Sequence, residues 1–232
     1  MSDDNLNQAI SEWKTKREQV NIAKKGWSKW SQVVIIFGFA LVISIIIRVF
    51  LFQPFIVPSG SMKPTLGVGN RILVSKLYPK PLGINRQDII VFKDPGGWLS
   101  LKNIENSQDN SLLSAFLKLI GLKDSNSDDN YLTKRLIGLP GDHITCDGKG
   151  GPIIINQTAL QEPYIIEGAL PSSMEINVTV PNDMLYVLGD NRSNSADSRY
   201  NKDKEYNGFV PLNNVIGKVS AVIWPLDSFK IF

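Results

Sequence analysis

The sequence predicts a mainly β fold preceded by a single apolar helix. Three observations lead there. A run near the N-terminus, VVIIFGFALVISIII at 33–47, carries no charge. Further on, stretches rich in β-branched and aromatic residues recur: RILVSKL (71–77), DIIVFK (88–93), PIIIN (152–156), INVTV (176–180), MLYVLG (184–189) and KVSAVIW (218–224). Turn formers separate them, as at Asp94-Pro95-Gly96-Gly97, Pro140-Gly141-Asp142 and Asp147-Gly148. Short strands punctuated in this way build hairpins and antiparallel sheets.

The apolar run comes first. Counted from Ser31 to Phe52, it would extend about 33 Å as a helix at ~1.5 Å per residue, close to the roughly 30 Å of a bilayer's hydrocarbon core. Arg48 sits near one end, where a long side chain reaches the headgroups. Trp27 and Trp30 suit the opposite interface. A cleavable export signal fits less well, because the charged leader is long and no A-x-A-like site follows. Lys14, Lys16, Arg17, Lys24, Lys25 and Lys29 precede the run, and few basic residues follow it closely. The positive-inside rule therefore predicts a cytoplasmic tail (1–30), a transmembrane helix (31–52) and an extracytoplasmic β-rich domain (53–232) in the cell membrane.

Within that domain, residues 98–130 form a polar insertion. Its exception is SLLSAFLKLIGL (111–122), where Ser111, Ser114 and Lys118 recur at helical spacing among apolar residues. Two roles fit this short helix: packing on the sheet or lying on a membrane surface.

Composition excludes several functions. The net charge is only +3, and no basic run with interleaved aromatics occurs, so nucleic acid is not an expected partner. There is one cysteine, Cys146, and one histidine, His143. No intramolecular disulfide can form, and a zinc site lacks ligands. No metal or other cofactor is expected.

The chemistry lies in three separated stretches. VPSGSM (57–62) offers Ser59 and Ser61 beside a glycine. A serine nucleophile needs a base within hydrogen-bond reach. His143 follows the turn Leu139-Pro140-Gly141 and reads as a surface residue, which leaves no Ser-His-Asp triad. A lysine can serve if burial removes its charge. Lys134, in NYLTKRLIGLPGD, would share one face of a strand with Leu132 and Leu136. That apolar company suits a base; it equally suits a lysine that snorkels past the leucines. GDNRSNSADSRY (189–200) packs Asp190, Arg192, Asp197 and Arg199 among three serines. It reads either as a solvated loop or as catalytic scaffolding.

Taken in order, the apolar anchor, PSGSMKPTL (58–66), DIIVFK (88–93), YLTKRLIGLPGD (131–142), GDNRSNSADSRY (189–200) and GFVPLNNVIGKV (208–219) resemble the bacterial type I signal peptidases, or leader peptidases. The resemblance covers most of residues 50–224. It implies an antiparallel β-sheet catalytic domain of the signal peptidase type and a serine protease with a Ser/Lys dyad. By position, Ser61 would be the nucleophile and Lys134 the general base. The Ser61 N–H and the Ser59 hydroxyl would form the oxyanion hole. Ser195 would orient the lysine, while Asp190 with Arg135 and Asp197 with Arg199 would brace the site. Phe55, Val57, Met62, Leu66, Leu132 and Thr133 fall where such enzymes line pockets for small residues. The implied partners are the signal peptides of exported pre-proteins and the lipid bilayer.

The chain departs from that family's pattern in places. Arg86-Gln87-Asp88 stands where Gly-Asp is common, NKDKEYN (201–207) lengthens the segment before GFVP, and no family-style disulfide is available. Two other readings stay in view. A self-cleaving repressor shares a Ser/Lys site but needs a DNA-binding domain, and an inactive anchored module would bind signal peptides without cutting them.

Overall fold

The computed structural model of the protein describes residues 8, 10–17, 29–46, 51–76, 83, 85–99 and 130–232. The helix expected at 111–122 and most of the 98–130 insertion lie outside these residues, as do Trp27 and Arg48. The described chain divides into an N-terminal unit, Met1–Ser44, and a larger one, Ile45–Phe232.

In the first unit, residues 10–17 are helical (α1). The next helix, α2 (Lys29–Ile46), carries the apolar run. Most of its described side chains are exposed: Val34, Ile36, Phe37 and Phe39 are each about two-thirds accessible. Among the described residues no helix is long and apolar enough to cross a membrane. The uncharged part of α2 begins only at Trp30, and Phe52, expected to end the apolar helix, instead opens a strand.

The second unit is antiparallel β throughout its described strands. One sheet has the order β1 (Phe52–Ile56), β2 (Arg71–Ser75), β11 (Val215–Trp224), β3 (Ile89–Lys93), β4 (Tyr131–Gly138), β9 (Met184–Leu188) and β10 (Val210–Pro211). A short β12 (Lys230–Ile231) pairs with β11. A smaller sheet runs β7 (Thr158–Ala159), β6 (Ile154–Ile155), β5 (His143–Cys146) and β8 (Ile176–Thr179). Pro54 and Pro211 sit in β1 and β10, the two edge strands of the large sheet, where a missing N–H leaves no gap in an interior ladder.

The sequence explains the centre of the large sheet. In β3, IIVFK, four consecutive side chains are buried. Ile89 and Val91 enter one cluster with Phe55, Val57, Met62, Leu66 and Val219. Ile90 and Phe92 enter another with Leu136, Leu185, Val187 and Val210. The period of two sends alternate residues to opposite faces, so the sheet is covered on both. A third cluster joins Ile137, Tyr186 and Leu188 to Ile144 and Ile176 of the smaller sheet and to Ile153 just before β6. Gly138 marks that junction: a Cβ there would lie 2.4 Å from Ile144 Cδ1. Removing one of these core side chains, as in Ile90→Ala, costs about 2–5 kcal/mol.

Candidate active site

The loop between β1 and β2 presents the first piece. Val57 N donates to Asn70 O, Gly69 N to Val57 O, and Gly67 N to the Asn70 side chain, which closes the loop at its base. At its tip Gly60–Met62 form one 3₁₀ turn. Met62 and Leu66 plug into the core and are 1% and 0% exposed. Apolar anchors on both sides thus fix the turn that carries Ser61.

β4 presents the second piece. Lys134 pairs across the sheet with Ile90, and its strand neighbours Leu132 and Leu136 pack in the same cluster as Ile90. The apolar company expected from the sequence is present. The side chain does not snorkel: Lys134 is 3% exposed, and its Nζ lies 2.7 Å from Ser61 Oγ. No carboxylate pairs with it among the described residues. Burial pushes the ammonium down from its ordinary 10.5 to about 8; Asp197 pulls it up, Arg199 pushes it down, and Asp190 again pulls it up. A lysine at about 8 is neutral in roughly a quarter of molecules at pH 7.5, against about one in a thousand for free lysine. Ser59 Oγ lies 3.3 Å from Ser61 Oγ, on the same turn.

The loop after β9 supplies the third piece. Arg135, next to Lys134, points to the opposite side of the strand and forms a bidentate pair with Asp190, at 2.7 Å from Nε and 2.6 Å from Nη2. Its Nη1 donates to Gln87 O, and Thr65 Oγ1 donates to Asp190. Asp197 and Arg199 form a second bidentate pair at 2.9 and 2.8 Å, both side chains fully buried. Asp197 also accepts from Gly189 N. Both pairs expected from the sequence are therefore made. In a bidentate geometry opposite charges meet directly, as burial demands, and only Arg199 Nη1 of these two pairs is left buried without a hydrogen bond.

Two residues without a role in the sequence reading, Asn191 and Gly189, complete the loop together with Arg192. Asn191 donates from its backbone to Ser61 O at 3.0 Å and from its side chain to Gly60 O. Gly189 lies against the serine: a Cβ there would sit 2.5 Å from Ser61 O and 2.2 Å from Ser195 Oγ. Arg192 runs inward to Gly189 O and Pro171 O and makes a bidentate pair with Glu162. Glu162 in turn accepts from the Tyr164 hydroxyl, and the Arg135 guanidinium lies 3.9 Å over the Tyr164 ring.

Two expectations are modified. Ser195 is buried at the site, but its Oγ makes no hydrogen bond; it packs against Gly189 while Lys134 Nζ bonds Ser61. Of the expected pocket residues, Phe55, Val57, Met62 and Leu66 are core members, whereas Leu132 and Thr133 are half-buried. His143 stands apart. It begins β5 of the smaller sheet, is exposed, and shares a hydrogen bond with Asn177.

This arrangement joins a buried hydroxyl to an amine whose charged form burial disfavours, inside a frame of paired charges, a geometry that suits nucleophilic acyl transfer. Comparison with known proteins points the same way. Residues 30–224 match the family model described as signal peptidase, peptidase S26. The chain is 32% identical to a probable signal peptidase I of Mycobacterium leprae, over 89% of its own length and 80% of the relative's. It is 34% identical to a probable signal peptidase I-2 of Synechocystis, over 81% and 70%. It is 30% identical to signal peptidase I P of Bacillus subtilis subsp. natto, over 94% and 97%.

Proposed function

The chain belongs to the peptidase S26 family of type I signal peptidases, which are serine hydrolases, and from that membership we propose that it removes signal peptides from exported pre-proteins with Ser61 as nucleophile and Lys134 as general base. The observation that carries the dyad is the 2.7 Å contact between Lys134 Nζ and Ser61 Oγ, both buried.

The steps follow from that contact. Neutral Lys134 takes the Ser61 proton as Oγ attacks the carbonyl carbon of the scissile peptide. The oxyanion forms beside the Ser61 N–H and the Ser59 hydroxyl; a donor of this kind is worth about 3–4 kcal/mol at the transition state. The lysine ammonium then protonates the departing amine, leaving an acyl-enzyme at Ser61. Water, its proton taken by Lys134, then attacks the acyl carbon, and the lysine passes that proton to the Ser61 oxygen as the acyl bond breaks and the signal peptide leaves. Ser195, buried with an unpartnered hydroxyl, is assigned to orienting the lysine as its charge changes. An unsatisfied buried hydroxyl costs about 1–3 kcal/mol, which favours a bond to the amine during the cycle. Arg135–Asp190 and Asp197–Arg199 hold the frame.

Small residues before the cut, in an A-x-A-like pattern, are assigned to shallow pockets around Phe55, Val57, Met62, Leu66, Leu132 and Thr133. Of these, the half-buried Leu132 and Thr133 offer the most surface. The enzyme is read as single-pass in the cell membrane, with its N-terminus cytoplasmic and its catalytic domain outside. The uncharged run at 33–47, the lysines before it and the exposed apolar side chains of α2 support that placement. A helix apolar on every side needs apolar surroundings.

The test is cleavage of a pre-protein by detergent-solubilised protein, with the new N-terminus sequenced. Wild type should cut after a small residue, and Ser61→Ala and Lys134→Ala should each lose roughly a thousandfold or more. If His143→Ala abolished cleavage and Lys134→Ala did not, the dyad would be wrong.

A further inference from the structure

Between the smaller sheet and the catalytic loops runs a segment whose side chains Glu162 and Tyr164 grip two of the three arginines around the site, Arg192 and Arg135. After β7 the chain leaves its sheet as QEPY (161–164). The Glu162 carboxylate, its side chain 5% exposed, takes Arg192 in a bidentate pair. Arg192, 2% exposed at its side chain, also holds Gly189 O from Nε. Two residues on, the face of Tyr164 lies under the Arg135 guanidinium at 3.9 Å, and its hydroxyl donates to Glu162 at 3.0 Å. Arg135 holds Asp190, and Gly189 sits between Asp190 and the packed Leu188. The contacts therefore form a closed ring: Glu162, Arg192, Gly189, Asp190, Arg135 and Tyr164. Gly189 and Lys134 lie on that ring or next to it, and Gly189 is the residue against which Ser61 and Ser195 pack.

We propose that Glu162 and Tyr164 are positioning residues for the Ser61/Lys134 pair: by clasping Arg192 and Arg135 from one short segment they fix Gly189 and β4 at the spacing the reaction needs. The inference rests on the peptidase reading given above. Neither residue touches Ser61 or Lys134, so both act through the arginines. The clasp also matters for charge. Lys134 is faced by Ser61, Asp190, Asp197 and Arg199, and both aspartates are neutralised by arginines. If Arg135 swings free of Asp190, an unpaired carboxylate faces the lysine and favours its charged form.

The experiment uses the full chain in detergent, as wild type, Glu162→Ala, Glu162→Gln, Tyr164→Phe and Tyr164→Leu. Two readouts are taken: the pH dependence of kcat and KM on a pre-protein, and deuterium exchange of amides in 187–199 and 59–63. Glu162→Ala and Tyr164→Leu should lower kcat by about tenfold or more, since an ångström of misplacement can remove about a hundredfold. KM should stay within about threefold, the apparent pKa of kcat/KM should rise, and exchange at 187–199 should quicken. Tyr164→Phe, which keeps the ring over Arg135, should stay within about twofold of wild type. Glu162→Gln should fall between.

Wild-type kcat and exchange in both Glu162→Ala and Tyr164→Leu would overturn the proposal. So would a Tyr164→Phe variant as damaged as Tyr164→Leu. If Glu162→Ala fails to fold, the contrast between the two tyrosine variants decides. If wild type cleaves no pre-protein, the peptidase reading falls, and the exchange data still decide whether the clasp holds Gly189.

Discussion

The serine turn and the aspartate loop meet at one site but are held by opposite means. Residues 57–70 are anchored by apolar plugs, with Met62 and Leu66 sunk in the core. Residues 189–201 are anchored by buried charge: Asp190 on Arg135, Asp197 on Arg199, and Arg192 on Glu162. An apolar plug tolerates a change of shape and gives position without charge. An ion pair gives direction but fails when either partner is lost. Ser61 thus sits on the part held without ion pairs, and the charges that act on Lys134 come from the paired part. Adjacent residues of β4 show the consequence. Arg135 is buried against a carboxylate, while Lys134 is buried without one and gives its charge up in part.

The comparison is broken most severely at Asp197. Asp197→Asn keeps the shape but leaves Arg199, which is 1% exposed, without its counter-charge. The expected loss is about 3–5 kcal/mol, read as a fall in thermal midpoint of the detergent-solubilised protein. A wild-type midpoint would mean that the charges do not hold this loop.

Lys134 is the reverse case. Its folded pKa of about 8 lies below the ordinary 10.5. The unfolded chain therefore binds more protons between those values, and stability rises with pH across that window. Below pH 8 the full penalty applies, about 3 kcal/mol at 1.36 kcal/mol per pKa unit. Lys134→Met should be inactive yet more stable by up to that amount at pH 7, less the lost bond to Ser61. The gain should fade as pH rises towards 10.5.

Gly189→Ala should act where the two parts touch. Its methyl meets Ser61 O and Ser195 Oγ, so overpacking should remove about 1–3 kcal/mol of stability, and kcat should fall more than KM changes. Met62→Leu should be the mildest for stability: a volume-conserving swap in the apolar plug costs less than about 1.5 kcal/mol, read in the thermal midpoint. A Met62→Leu effect as large as that of Asp197→Asn would erase the distinction between the two anchors.

Much of this was legible in the sequence, for physical reasons. β3 shows as an unbroken apolar run because it is buried on both faces, and Lys134 shows because its alternate neighbours are leucines. β1 was hidden: it follows directly on the apolar run and contains Pro54, which only an edge strand accommodates. β7, β10 and β12 are two residues each, too short for alternation to register, whereas β6, equally short, shows inside the apolar run PIIIN (152–156). The paired charges of GDNRSNSADSRY could be guessed as a group. The partner of Arg192 could not, since Glu162 lies thirty residues earlier in a polar stretch and its burial arises only from the fold. Gly189 likewise gives no local sign, because the close approach of Ser61 joins segments far apart in the chain.

The central claim is that Lys134, unpaired and buried, is the base for Ser61, and the most direct measurement is the pH dependence of kcat/KM for pre-protein cleavage. One ionisation with an apparent pKa near 8 should govern the rise in rate, and His143→Asn should leave it unchanged. An ionisation near the ordinary histidine value of about 6.5, abolished in His143→Asn, would contradict the account.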